Sequence, residues 1–259
     1  MAFGGRIEAI IAVPAGVTVS ATNGTGGPST VTLTAGNYTA TALVAHFVAR
    51  LNADRPSGWT GSVSTGSAGT GYVSIAGTGT WSISWTSTTL RDALGFTANI
   101  TAVTGTRTGT ICARGLWMPD AVMQLDGDAA RAPIVSDLRT TEGPTGNVYA
   151  MAGNTKYRHS NIRWSHVPRA RVHETVAQYA GNTFETWMRQ TQFGSIVPWI
   201  GPGAGFEIYD HNEIKLGSDY SVVSWKISPA ITSIEPKRSG GSDWVGLYEI
   251  VFPTIVSAG

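Results

Sequence analysis

Three histidines, His159, His166 and His173, recur every seven residues, and imidazole is the commonest metal ligand among side chains. Residues seven apart share a face on a helix but alternate faces on a strand. Pro168 stands inside the span and the flanking residues favour strands, so the three rings are not expected to converge. A second donor-rich run, Asp210-His211-Asn212-Glu213, reads as a tight turn whose adjacent side chains diverge. Neither pattern calls for a metal or any other cofactor.

The most basic stretch overlaps the histidines. Arg158, Arg163, Arg169 and Arg171 are interleaved with Tyr157 and Trp164, residue types that could face phosphates and stack on bases. Yet only 4 of the 18 basic residues are lysine and the net charge is +1, which leaves no surplus to hold a nucleic-acid backbone. Arginine and tryptophan also anchor protein interfaces. Arg158, Arg163, Trp164, Arg169 and Arg171 are therefore the candidate interface. Pairing with carboxylates of the same chain, such as Glu174, Glu185 and Asp210, is the competing use.

Signatures of catalysis do not accumulate. Serine and glycine are abundant, but no Gly-x-Ser-x-Gly elbow occurs to expose a nucleophile. Gly24-x-Gly-Gly27 and Gly201-x-Gly-x-Gly205 open no helix after a buried strand, and no Gly-Lys-Ser or Gly-Lys-Thr cradles a phosphate. The paired carboxylates of a glycosidase are not evident. The chain reads as non-enzymatic. Cys112 is its one cysteine, so no intrachain disulfide can form. The N-terminal run Ile7, Ile10, Ile11 and Val13 is interrupted by Glu8 and Pro14, too polar for a signal peptide. No segment approaches a membrane span. Folding in a cytoplasm without crosslinks is the expectation.

The elements that must position these residues divide by composition. Of the first 113 residues, 49 are Gly, Thr or Ser and 8 are charged; the remaining 146 hold 27 charged side chains and 6 of the 9 tryptophans. Such a shift points to two modules, 1–113 and 114–259. Threonine suits a pleated surface. Trp81, Ile83 and Trp85 alternate with Ser82, Ser84 and Thr86, giving one apolar and one hydroxylic face. Leu43, Val44, Phe47, Val48 and Leu51 form a helical stripe that Thr39 or Thr41 can cap. A short turn from Thr88 to Leu94 ends at Gly95, and Phe96 returns to the core. The candidate core here is Phe47, Leu51, Trp81, Ile83, Trp85, Leu94 and Phe96.

The second module is read as strands at Ile134–Leu138, Val148–Met151, Asn161–His166, Arg171–Tyr179, Phe206–Tyr209, Tyr220–Ile227 and Tyr248–Ile255. One helix is expected over about 183–192. Asn182 and Glu185 have capping-box spacing, and Phe184 and Trp187 supply core. The expected fold class is mainly β, with β-sandwich-like modules and a few short helices.

Leu33-Thr-Ala-Gly-Asn-Tyr38, the helix ending Leu51-Asn-Ala, Trp81-Ser-Ile-Ser-Trp85 and Leu90-Arg-Asp-Ala-Leu-Gly-Phe96 resemble a module of tailed-bacteriophage structural proteins. The helix with Phe184-Glu-Thr-Trp187, a glycine turn, Phe206-Glu-Ile-Tyr-Asp210 and the last strand pair resemble distal-tail, or tail-tip, proteins. The resemblance implies a virion subunit assembled in the host bacterial cytoplasm, forming a symmetric ring of six copies and touching other tail or virion proteins. No nucleic acid and no membrane partner is implied. Distal-tail proteins place the ring-forming domain first, whereas here the Thr/Gly-rich part leads, so a capsid-decorating or connector role stays open. A glycan-binding attachment module is a further alternative, with Trp59, Tyr72 or Trp81 as stacking platforms.

Overall fold

β-Branched residues dominate the N-terminal part, and the pleated surfaces they fit are what form. The structure, a computed structural model, describes residues 5–24, 26–54, 58–65, 69–119, 122–126, 134–142, 148–173, 183–191, 199–200, 205–210, 212–215, 222–227, 233–236 and 247–258 (backbone only for 122–126, 134–142, 148–162, 165, 170, 222–227, 233–236 and 247–258). It is mainly β. In chain order come β1 (Arg6–Ala9), β2 (Ile11–Val13), β3 (Thr18–Asn23), β4 (Ser29–Thr32), β5 (Gly36–Tyr38), α1 (Ala40–Asp54), β6 (Thr60–Val63), β7 (Tyr72–Ser84), α2 (Thr88–Ala93) and β8 (Ile100–Cys112). There follow β9 (Leu116–Trp117), β10 (Val122–Asp126), β11 (Ile134–Glu142), β12 (Val148–Pro168), α3 (Arg169–Val172), α4 (Phe184–Thr191), β13 (Phe206–Tyr209), β14 (Val222–Ile227), β15 (Ser233–Pro236) and β16 (Leu247–Ala258).

The strands form three antiparallel sheets. A five-stranded sheet runs β4-β3-β7-β6, with β8 along the opposite edge of β7. β2 pairs with β5 as a two-stranded sheet among the described residues. A nine-stranded sheet runs β10-β12-β16-β14-β13-β1-β9, with β11 added to β12 and β15 to β16. Strand β1 thus lies in the nine-stranded sheet, with Ile7 opposite both Ile208 and Trp117. This pairing crosses the compositional boundary at 113, and all four residues of β1 are buried.

The Thr/Ser alternation sets the five-stranded sheet's two faces. Thr30, Ser20 and Ser84 stand in register, as do Thr22 with Ser82 and Ser62, Ser74 with Thr108. Their partners in alternation, Val19, Val31, Val73, Ile75, Trp81 and Ile83, are buried. Leu43, Phe47 and Leu51 of α1 are buried in the same core. Trp85 is wedged between aromatics, its ring 5.7 Å from Phe47 and 5.5 Å from Phe96. Ser87 caps α2 by accepting from the Leu90 amide at 3.2 Å. At its far end the amides of Gly95 and Phe96 donate to the carbonyls of Asp92 and Arg91. Gly95 takes a φ of 76° there, and a Cβ would sit 2.1 Å from the Ile111 carbonyl oxygen, so glycine is required.

A second aromatic stack fills the space beside β9. Trp117 meets Trp164 edge-on at 5.2 Å and Phe184 at 4.7 Å, while Trp187 meets Phe206 at 5.6 Å. Trp117 Nε1 donates to the Arg171 carbonyl and Trp187 Nε1 to that of Gly115, both at 2.9 Å.

Three sequence expectations change. The strands read at Val148–Met151 and Asn161–His166 are one strand, β12, of 21 residues. Arg171 and Val172, read as the start of a strand, lie in the helical turn α3, and 174–180 fall outside the described residues. His166 takes a φ of 63° at a bulge, and Pro168, which has no N–H to extend a ladder, ends β12 and leads into the turn. The cap of α4 is Thr183, whose hydroxyl accepts from the Thr186 amide at 3.2 Å; Asn182 lies outside the described residues.

Because Phe96 is buried against Trp85, Phe96→Ala is expected to lower stability by about 3–5 kcal/mol, the usual cost of emptying an aromatic site. Denaturant melts followed by tryptophan fluorescence measure it, and an unchanged midpoint would show that Phe96 is not part of the core.

Candidate functional site

Charge is scarce in residues 1–113, and two of its eight charged residues, Arg6 and Glu8, sit on β1 with both sides covered. Arg6 is 7% exposed and Glu8 0%. A buried ion is tolerated only when it is paired and hydrogen-bonded. Residues two apart on a strand share a face, so the two side chains meet, with Arg6 Nε donating to Glu8 Oε1 at 2.5 Å. Arg6 also bonds Glu213 through Nη1, and its guanidinium lies 3.9 Å from the centre of the Tyr209 ring.

Glu8 reaches a second element. Its Oε2 accepts from the Thr41 amide at 2.9 Å, and both carboxylate oxygens accept from the Thr41 hydroxyl, at 2.9 and 3.0 Å. Thr41 lies in the first turn of α1, where amides lack helical partners and the helix dipole favours an anion. The Thr39 hydroxyl takes the Ala42 amide at 3.3 Å. The helix therefore begins on a borrowed carboxylate as well as on its own threonine.

The network continues along β13. The Tyr209 hydroxyl donates to Glu207 and Lys215 Nζ donates to the same carboxylate at 2.7 Å. Burial, then the hydrogen bond to Glu207, pushes the Tyr209 hydroxyl above the ordinary tyrosine range. Between them Asp210 closes a tight turn by accepting from the amides of Asn212 and Ile214 at 2.8 and 2.9 Å. Glu213 takes a φ of 65° in that turn and bonds Arg6. Both oxygens of Glu8 are occupied by donors, an arrangement that holds elements together rather than one that leaves a base free to take a proton.

Of the candidate interface residues, Trp164 and Arg171 face inward, at 1% and 3% exposure. Trp164 belongs to the aromatic stack. Arg171 Nη2 donates to the Gly69 carbonyl at 3.3 Å, so intrachain pairing is its use. Arg163 is half-buried and Arg169 exposed. Arg158 stands opposite Ile134 and Val256 in β12, and its side chain lies outside the described residues. Trp164 and Arg171 are thus core rather than surface among the described candidates. The candidate core residues Phe47, Leu51, Trp81, Ile83, Trp85, Leu94, Phe96, Phe184 and Trp187 are all buried.

The histidines are dispersed. His166 is exposed, His173 Nδ1 lies 2.6 Å from Glu185 Oε1, and the side chain of His159 falls outside the described residues. Among the described residues no three His, Cys, Asp or Glu side chains gather as a metal site would require. Trp59 and Trp81 are buried edge-to-face at 5.3 Å and cannot offer a stacking surface to a sugar, while Tyr72 is half-buried. A shallow groove of about 290 Å³ lies between residues 15–18 and 86–89, lined by hydroxyls and backbone without an ionisable side chain.

Sequence reasoning took Glu8 only as a polar interruption of an apolar run and gave Arg6 no role. The signal was present: two opposite charges at strand spacing around Ile7, in a segment that otherwise avoids charge.

Glu8→Gln is expected to cost about 3 kcal/mol in an equilibrium melt, since it leaves a buried guanidinium with only its outer partner. A double variant, Arg6→Met with Glu8→Leu, should lose less than the single one; a larger loss would show that the pair itself stabilises the fold. Burial also pushes the Cys112 thiol up to about 12. At pH 8 roughly one molecule in ten thousand is then a thiolate, so a thiol reagent should label Cys112 only on unfolding. Rapid labelling of the native chain would contradict the burial.

Comparison of the chain with family models, with curated proteins and with solved structures finds no match in any of the three.

Proposed function

We propose that the chain is a non-enzymatic structural subunit of a tailed-phage virion, a ring-forming tail-tip or baseplate component that links the tail tube to host-recognition parts. In this reading two β-sandwich-like modules, 1–113 and 114–259, form one subunit of a six-membered ring assembled in the host cytoplasm.

The observation that supports it is the composition of the five-stranded sheet. Its described strands carry a single charged residue, Arg107, and its solvent face is rows of threonine and serine. The surface of a freestanding domain is typically about 25–35% charged. A neutral face is cheap to strip of water, because no ion has to be desolvated, and it suits a protein whose surface is covered by neighbours. The resemblance of the Leu90–Phe96 segment to phage structural modules adds the assembly in which such covering occurs.

Immunogold labelling of particles from the source lysate tests the assignment. Gold confined to the tail end is the expected result. Gold on the head would replace the tail-tip role with a capsid-decorating or connector role, and bare particles beside free antigen would overturn the virion reading.

A further inference from the structure

Two stacked rings hold both backbone polar groups of Thr34. Its amide donates to His46 Nε2 at 3.1 Å, and its carbonyl accepts from the Tyr38 hydroxyl at 3.0 Å. His46 stands on α1, with its ring 4.8 Å from that of Tyr38 and within 22° of parallel. Thr34 belongs to the short corner between β4 and β5, where it and Ala35 are exposed. Burial therefore does not fix Thr34 in place; the two hydrogen bonds do.

A backbone N–H can only donate. The Thr34 amide therefore needs a bare lone pair on His46 Nε2, which makes the ring neutral with its proton on Nδ1. A second proton would go to Nε2 and point at the amide hydrogen, turning the bond into a repulsion between two donors. Electrostatics act in the same direction. Partial burial, and then the Arg50 guanidinium one turn along α1, hold His46 below the ordinary histidine range. Arg50 Nε donates to the Thr32 carbonyl at 2.9 Å, and its Nη2 lies 3.6 Å from Asp54, which offsets part of its charge. Among the described residues packed around the ring, β5 lends the Tyr38 hydroxyl, while residues 29–37, β2 and β6 contain no ionisable side chain.

We propose that His46 is a proton-operated latch on the β4–β5 corner: neutral, it holds Thr34 against α1; protonated, it lets the corner go. The release is local. Leu33 stays buried, its amide on the Val17 carbonyl at 2.9 Å, and Tyr38 stays paired with Ile11 across β2 and β5. Acid thus frees the stretch between two fixed points, on the approach to the first turn of α1. The sign follows from linkage. The closed latch binds the proton less readily than an open one, so it is at full strength above about pH 6.5 and is lost as pH falls through the lower value of the closed state.

Amide hydrogen exchange of the full chain, read residue by residue beside His46→Gln, tests the latch. Between pH 7.5 and pH 5 the protection of the Thr34 amide, corrected for its intrinsic rate, should fall roughly tenfold while that of Leu33 holds. The glutamine carbonyl accepts from the same amide at every pH, so His46→Gln should keep Thr34 protected in acid. Protection that stays flat in the native chain would overturn the latch. An equal acid loss in His46→Gln would also overturn it, by tracing the change to another group. Should the variant fail to fold, the imidazole nitrogen shifts of the native chain at neutral pH decide it: a bare Nε2 with the proton on Nδ1 is expected, and a proton on Nε2 would overturn the inference.

Discussion

The pairing of Arg6 with Glu8 is the constraint from which much of the described structure follows. Two ions without bulk water around them must find donors and acceptors in fixed places, and they find them in different elements. Glu8 takes the first turn of α1, while Arg6 takes the turn after β13 and the Tyr209 ring. Apolar packing tolerates sliding by fractions of an ångström; a carboxylate held by the Arg6 guanidinium and by both the amide and the hydroxyl of Thr41 does not. The register of β1 between β13 and β9 and the position at which α1 begins are thereby specified together. A hydrophobic replacement could match the stability, but it would not select the same register.

Much of the fold was legible because it depends on periodicity. The alternation from Trp81 to Trp85 and the stripe from Leu43 to Leu51 each have one period and one buried face, and local sequence suffices to see them. Gly95 was legible for a related reason, since only glycine suits the left-handed end of a helix whose next residue must turn inward. Partnership between distant segments was not legible. Nothing in Arg6-Ile7-Glu8 says that its partners are Tyr209, Glu213 and Thr41. The strand read at Arg171–Tyr179 failed at its start for a local reason, since Pro168 and the bulge at His166 redirect the chain into a helical turn.

The candidate interface shows the limit of reasoning from residue type. Arginine and tryptophan anchor contacts between proteins and contacts within them by the same physics, so composition could not separate the two uses. Trp164 lies edge-on to Trp117, and Arg171 reaches the Gly69 carbonyl across the fold. What distinguishes an outward surface here is what is missing from it: the hydroxyl rows of the five-stranded sheet lack charge while remaining open to water.

One residue, Ile10, separates β1 from β2, and with it the nine-stranded sheet from the two-stranded one. The amides of Ala9, Ile10 and Ala12 on either side of the crossing donate to Gly115, Gly205 and Trp199 at 2.8, 3.0 and 2.9 Å. There is no slack at that point for a hinge to use. A pull applied to either sheet is carried through covalent backbone into the other, while three hydrogen bonds anchor the crossing to neighbouring segments, so it behaves as a rivet that transmits tension.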